Sequence, residues 1–211
     1  EQHNVMRALK NSFATTILQT VLALAVSSIA GYGFEIYHDK AKDTVMAILM
    51  LAMMVPFVAV LVPLFQMFTK AKLINSWTGF ILPSIATPFL IMYFRNSARS
   101  FPRDTLEAAR IDGLNEFQII IRMFIPMMKP TYASAATITF MGAWNAYLWP
   151  KVVMQTNEAI TMPMLVANTM GGYVIDYGVV MAAVTICSLP TVIIFFCLQK
   201  SFTNAVAGAV K

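Results

Sequence analysis

Eight charged side chains fall within one stretch of 28 residues, RDTLEAARIDGLNEFQIIIRMFIPMMKP at 103–130, here called the polar element. Asp104 and Glu107 have the spacing of a capping box, in which each side chain bonds the other residue's backbone N–H. Asn115 and Gln118 repeat that spacing. These residue types, at three-residue intervals, are typical of helix starts, and the chemistry that they offer is hydrogen bonding at exposed helix ends.

The spacing predicts two short helices within the polar element. The first begins at about Thr105 and ends at Gly113, which supplies the left-handed residue of a helix stop. The second runs to about Phe124, and Pro126 and Pro130 are expected to break the chain after it.

Two small residues of the first helix, Ala108 and Ala109, would let another surface approach closely. Two alternatives remain open, because alanine is also simply a good helix former and Glu107 could serve only as a cap.

The sequence lacks the residue patterns of catalysis. It has neither a phosphate-binding loop nor an activated nucleophile, and no His, Cys and carboxylate spacing suggests a metal site. Cys187 and Cys197 are ten residues apart in one predicted helix, about 15 Å, which is too far for a disulfide. We therefore expect no enzyme activity, cofactor or metal in this chain.

The polar element lies between long apolar stretches. The chain is 58% hydrophobic and 12% charged, whereas soluble domains have about 25% charged residues. A bilayer span needs about 20 residues, and the stretches without Asp, Glu, Lys or Arg that reach this length are Ser12–Phe34, Thr44–Thr69, Leu73–Phe94, Thr131–Pro150 and Tyr177–Gln199. We predict one all-α polytopic membrane domain over residues 1–211, with a bundle of about five spans. The prolines within these stretches predict kinked helices.

The distribution of basic residues predicts the topology. Loops 35–43, 95–130 and 200–211 contain ten of the 15 Lys and Arg residues, and the positive-inside rule assigns such loops to the cytoplasm. The polar element and the C-terminus are then cytoplasmic, and loop 151–176 is external. This loop could reach a pathway or an external partner, or be a passive connector. The net charge of +5 is spread between spans, so we expect lipid contact and no nucleic-acid binding.

The polar element resembles the EAA loop of ABC importer permeases, which would occupy residues 97–130. That motif reads Glu-Ala-Ala, three residues, Gly, nine residues and Ile-any-Leu-Pro. The matching positions are Glu107, Ala108, Ala109, Gly113 and Pro126, with Met123 and Ile125 as apolar replacements.

The resemblance covers most of the chain. The stretches "MVPFVAVLVPLFQMF", "GAWNAYLWP" and "LQKSFTNAVAGAVK" are similar to the carbohydrate-uptake group related to the maltose transporter, in particular to its second permease subunit. Six spans are usual there, so the first span is expected to be absent here. Asn204-Ala205 departs from the Glu-Gly that is frequent in relatives.

The resemblance implies a coupling helix that docks on an ATP-binding subunit through Glu107, Ala108, Ala109, Asp112 and Gly113. It implies a heterodimer with a second permease subunit, two ATPase subunits that bind ATP and Mg, and an external sugar-binding protein. The C-terminal tail, 199–211, would also contact the ATPase. The location would be the cytoplasmic (inner) membrane of a bacterium or archaeon.

Substrate contacts are expected near the external end of the fourth predicted span, at Trp144, Asn145 and Tyr147. An indole face and an amide suit a sugar ring, although an interfacial aromatic belt has the same composition. The implied substrate is a sugar of di- or oligosaccharide size.

Three other classes of function compete with a sugar importer subunit. A self-sufficient secondary transporter would need a coupling ion, and the predicted spans contain no ionisable Asp, Glu, Lys, Arg or His for a proton relay; sodium coupling through carbonyls stays open. A membrane-embedded enzyme would need convergent catalytic groups. An importer permease for a non-sugar solute, such as an amino acid, a metal or glycerol phosphate, also stays open.

Overall fold

A computed structural model describes the backbone of residues 2–171 and 175–208 and the side chains of 5–171 and 175–197. All regular elements in these residues are helical, which confirms the predicted all-α fold. The α-helices are α1 (Gln2–Ile36), α2 (Lys40–Ala52), α3 (Phe57–Lys70), α4 (Trp77–Ile81), α5 (Pro88–Ala98), α6 (Arg103–Ile111), α7 (Glu116–Ile119), α8 (Ile125–Met127), α9 (Lys129–Trp144), α10 (Leu148–Val153), α11 (Met162–Thr169) and α12 (Tyr177–Gly208). Short 3₁₀ turns at Leu82–Ser84 and Asn157–Ala159 and a π-turn at Ile120–Phe124 connect some of them.

Two of these helices are long and apolar enough to cross a membrane on their own, over Val5–Ile36 and Tyr177–Cys197. The second and third predicted spans are bent pairs instead: α2 and α3 meet at 102°, and Trp77–Ser84 and α5 meet at 49°. The predicted proline kinks explain these bends, because Pro56 precedes α3 and Pro88 begins α5. The fourth predicted span is interrupted after the 16 residues of α9.

Helix α1 is the axis of the bundle and packs mainly against α5 and α9. One point of close approach is Gly31, where an added Cβ would lie 2.6 Å from Phe94 Cβ and 2.7 Å from the Arg95 backbone nitrogen. Glycine is therefore required where α1 crosses α5. Such contacts between small residues are typical of helices packed in a bilayer.

The outer surface of the bundle is strongly apolar. Side chains such as Ile17 (52% exposed), Val58 (68%) and Phe196 (62%) point away from the described helices. A soluble monomer rarely exposes so continuous an apolar surface, so this surface fits lipid or neighbouring membrane helices.

Candidate functional site

Helix α6 begins two residues earlier than the sequence predicted. Its N-cap is Pro102, in an extended conformation and without a side-chain cap. Asp104 therefore lies inside the first turn, and the predicted capping box of Asp104 and Glu107 is wrong. Its carboxylate instead lies near the positive end of the helix dipole, where a negative charge is favourable.

The turn at Gly113 agrees with the prediction. Gly113 has a φ of 80°, a left-handed conformation that costs other residues free energy. Its N–H donates to the Arg110 carbonyl at 3.1 Å, and the Leu114 N–H donates to the Ala109 carbonyl at 3.0 Å. These two bonds form a Schellman motif that fixes the angle at which the chain leaves α6.

The second predicted capping box is confirmed at the start of α7. The Gln118 N–H donates to Asn115 Oδ1 at 2.9 Å, and the Asn115 N–H donates to Gln118 Oε1 at 3.0 Å. The expected break near Phe124 is wrong, because the chain continues through the π-turn into α8. Pro130 lies in the first turn of α9, where a missing N–H costs no helical bond, and Pro126 follows the π-turn.

The motif residues do not all face the same way. Glu107, Ala108, Asp112 and Gly113 are exposed, whereas Ala109 is 2% exposed. Ala109 and Leu106 are one turn apart on the inner side of α6, so the expectation that Ala109 offers itself to a partner is wrong. Its small side chain brings α6 close to the rest of the bundle instead.

Sequence reasoning missed the apolar part of this exposed surface. Ile111 is 85% exposed and Phe117 is 67% exposed, on either side of the Gly113 turn. Together with Glu107, Ala108 and Asp112 they form what we call the outer face of the polar element. Exposed apolar residues beside charged ones would have been a usable signal, since they are costly on a surface without a partner.

Beneath the outer face, a buried apolar cluster attaches the polar element to α1 and α5. We call it the base cluster, and its members are Tyr32, Ala98, Phe101, Leu106, Ala109, Ile119, Ile120, Phe124 and Met128. The Phe124 ring is edge-on to Tyr32, with ring centres 5.1 Å apart, and to Phe101, at 5.5 Å. The polar element is thus a rigid projection with an apolar foundation.

A charged cluster lies at the edge of this foundation. Glu116 accepts hydrogen bonds from the Tyr32 hydroxyl at 2.8 Å and from Arg110 Nε and Nη2 at 2.9 and 2.8 Å. The Arg110 guanidinium also lies 5.8 Å from the centre of the Tyr37 ring. Burial alone would raise the pKa of Glu116, but the hydrogen bonds from Tyr32 and Arg110 outweigh it and lower the pKa. Glu116 is therefore ionised at neutral pH.

A second charged cluster joins the end of α1 to α2 and α5. Arg95, 6% exposed, contacts Glu35 at 3.4 Å and Asp43 at 2.5 Å, and Arg99 contacts Glu35 at 3.3 Å. Neither charged cluster was predicted from the sequence, because its members are 50 or more residues apart or lie on different elements.

The three predicted substrate residues differ in exposure. Trp144 is 1% exposed, its Nε1–H donates to the Cys187 carbonyl at 2.9 Å, and its ring packs against Phe13 and Phe140. It is a core residue with no free face for a sugar. Asn145 and Tyr147 are exposed, and the Asn145 amide donates to the Met141 carbonyl, so their part in a pathway stays a prediction.

The 151–176 segment is described except for residues 172–174, and it folds back on the start of α1. Asn11 Nδ2 donates to the carbonyls of Glu158 and Ile160, at 2.8 and 3.0 Å, and the Met162 N–H donates to Ser12 Oγ at 2.8 Å. About 30 Å of helix separates Asn11 from Tyr32, at 1.5 Å per residue. The segment and the polar element therefore lie at opposite ends of α1.

The predicted contacts of the tail, 199–211, lie outside the described side chains. Cys187 and Cys197 are both free, as their spacing on one helix predicted.

Comparison with known proteins shows the family of this chain. The model of a family described as "Binding-protein-dependent transport system inner membrane component" matches residues 23–208. The chain belongs to this family. The resemblance found in the sequence is thus confirmed, and the permease is a membrane component of ABC importers.

Two relatives of the permease are named for sugars. It is 41% identical over 201 residues to the lactose transport system permease protein LacG of Rhizobium radiobacter, across 95% of this chain and 74% of the relative. It is 35% identical over 202 residues to the arabinooligosaccharides transport system permease protein AraQ of Bacillus subtilis strain 168, across 95% of this chain and 72% of the relative.

Solved structures share the permease fold. A bacterial ABC transporter that imports the acidic polysaccharide alginate matches with a TM-score of 0.84 at 22% identity, over 93% of this chain and 75% of that chain. The inward-facing MetNI methionine transporter matches with a TM-score of 0.66 at 18% identity, over 97% of both chains.

Proposed function

We propose that this permease forms half of the pathway of an ATP-driven sugar importer and that the outer face of the polar element docks on an ATPase subunit. The observation that supports docking is the combination of an exposed, partly apolar outer face with a buried base cluster. Such a projection can bind a partner without rearranging and can pass a displacement to the bundle.

The outer face offers two kinds of contact. Glu107 supplies a carboxylate and Ala108 a small surface that permits close approach, while Ile111 and Phe117 supply apolar area. A mixture of buried apolar anchors and a few charges is typical of protein interfaces. We infer that ATP and Mg bind to the ATPase subunits and that this chain supplies mechanical coupling.

The substrate that we propose is a di- or oligosaccharide, delivered by an external binding protein and shared with a second permease subunit. Sequence relatives named for lactose and arabinooligosaccharides support a sugar over an amino acid or a metal. In this arrangement the polar element and the C-terminus are cytoplasmic, as the positive-inside rule indicates.

Co-purification of the ATPase with the full importer tests the docking proposal. Glu107→Ala should weaken ATPase association about tenfold, the effect of losing about 1.4 kcal/mol of binding free energy. Gly113→Val should also weaken it, because a β-branched residue in a left-handed conformation strains the turn by about 1–2 kcal/mol. Glu158→Ala, which removes an exposed glutamate at the opposite end of α1, is the matched control.

Normal association and transport in both variants would contradict the docking proposal. Uptake that continues without ATP and stops when an ion gradient is collapsed would instead indicate a secondary transporter. Uptake of glycerol phosphate but of no sugar would contradict the substrate class.

A further inference from the structure

We propose that Glu116 is a positioning residue that transmits movement of the polar element to α1, an inference that rests on the proposed coupling to an ATPase. Glu116 lies within the EAA loop, but at one of the nine positions between Gly113 and Met123 for which the motif specifies no residue. Its role follows from what its carboxylate joins.

Each carboxylate oxygen of Glu116 bonds a different helix. Oε2 accepts from the Tyr32 hydroxyl of α1 at 2.8 Å, and Oε1 accepts from Nε and Nη2 of Arg110 in α6 at 2.9 and 2.8 Å. Glu116 itself belongs to α7. One side chain therefore connects both helices of the polar element to the central helix of the bundle.

The hydrogen bonds of Glu116 are directional and charge-assisted, so they can fix the position of α6 and α7 relative to α1. Charge-assisted hydrogen bonds are roughly twice as strong as neutral ones. Arg110 directs two of its nitrogens, Nε and Nη2, to Oε1, so its position relative to Glu116 is closely defined. The hydrophobic effect that holds the base cluster together is non-directional. The base cluster thus gives adhesion, and the link through Glu116 defines the register of α6 and α7 on α1.

Tyr32 is well suited to receive the movement. It is 2% exposed, and its ring packs edge-on against Phe124, so its hydroxyl has little freedom to follow a moving partner. It lies next to Gly31, where α1 closely approaches α5. A displacement that reaches Tyr32 therefore reaches the crossing of α1 and α5.

The link also includes the residue that follows α1. The Arg110 guanidinium lies 5.8 Å from the ring centre of Tyr37, within range of a cation–π contact. Arg110 thus contacts Glu116 on one side and the end of α1 on the other, which makes α6 follow α1 through two routes.

The test measures sugar transported per ATP hydrolysed by the assembled importer in proteoliposomes. Tyr32→Phe removes only the hydroxyl, Glu116→Gln removes the charge and keeps the side-chain volume, and the double variant removes both. Tyr177→Phe, at a site that is 73% exposed, makes the same change as Tyr32→Phe away from the link. ATPase co-purification and thermal stability of the complex are recorded for every variant.

Each single variant should keep the ATPase bound and hydrolysing ATP, while transport per ATP falls about fivefold, equivalent to about 1 kcal/mol of coupling free energy. The double variant should be no worse than the more affected single variant, because both changes break the same connection. Tyr177→Phe should match the wild type.

Unchanged transport per ATP in Glu116→Gln would overturn the inference. So would a loss of transport in proportion to ATPase binding and stability, which indicates a purely structural role, and so would additive effects in the double variant. A wild-type complex that never binds the ATPase would overturn the proposed function itself, so the two failures are distinct.

Discussion

Arg95 is a buried charge whose partners are two acidic residues. Its guanidinium is 6% exposed and is neutralised by Glu35 and Asp43 from two other elements. Arg99 shares Glu35 but its side chain is 60% exposed. The two arginines carry the same group, one buried and one exposed, so replacing each in turn compares the contributions of a buried and an exposed ion pair to stability.

We predict that Arg95→Gln destabilises the complex strongly, by about 3 kcal/mol, because Asp43 loses its arginine partner and Glu35, whose side chain is only 13% exposed, loses one of its two. Arg99→Gln should cost less than about 1 kcal/mol, since water already screens that pair. Thermal unfolding of the purified complex measures both changes. Equal shifts in melting temperature would contradict this view of the cluster.

At the scale of elements, local patterns in the sequence were more reliable than inferences about burial. The Gly113 turn and the Asn115–Gln118 capping box were predicted correctly, because each depends on residues within one turn. The start of α6 was wrong because Pro102, not Asp104, ends the extended segment. The inward position of Ala109 could not be predicted, because it depends on contacts with α1 and α5 that only the folded chain defines.

Long-range polar pairing was likewise invisible in the sequence. Tyr32 and Glu116 are 84 residues apart, and no periodicity connects them. The burial of Trp144 could not be predicted for the same reason, because it too depends on long-range contacts. The residue type indicates that the ring could suit a sugar, but packing against Phe13 and Phe140 decides whether the ring is accessible.

The crossing of α1 and α5 can be tested with two glycines of α1, because replacing each by alanine should change the stability of the permease in opposite directions. Gly31→Ala should destabilise the permease by about 1–3 kcal/mol, because the new methyl group meets the backbone of α5. Gly33→Ala has nothing within 4 Å of the new atom and should stabilise α1 by about 0.5–1 kcal/mol. Melting temperatures of the two variants give the comparison, and shifts of the same sign would refute a close crossing at Gly31.

At the scale of the whole molecule, α1 connects two ends with different roles. One end carries the polar element through the base cluster and Glu116, and the other is clamped by the 151–176 segment through Asn11 and Ser12. A helix bonded at both ends can convey a displacement along its length. Such a connection between the two ends of α1 fits the proposed coupling to an ATPase.

Photo-cross-linking at two neighbouring alanines tests the central claim most directly. In a chain whose Cys187 and Cys197 are replaced by serine, Ala108→Cys and Ala109→Cys would each be labelled with a thiol-reactive photo-cross-linker before the ATPase is added, and the importer would then be assembled and irradiated. We predict an adduct with the ATPase from exposed position 108 and little or none from position 109, which is 2% exposed. Equal adducts from both positions, or none from position 108 in a complex that transports sugar, would contradict docking through the outer face.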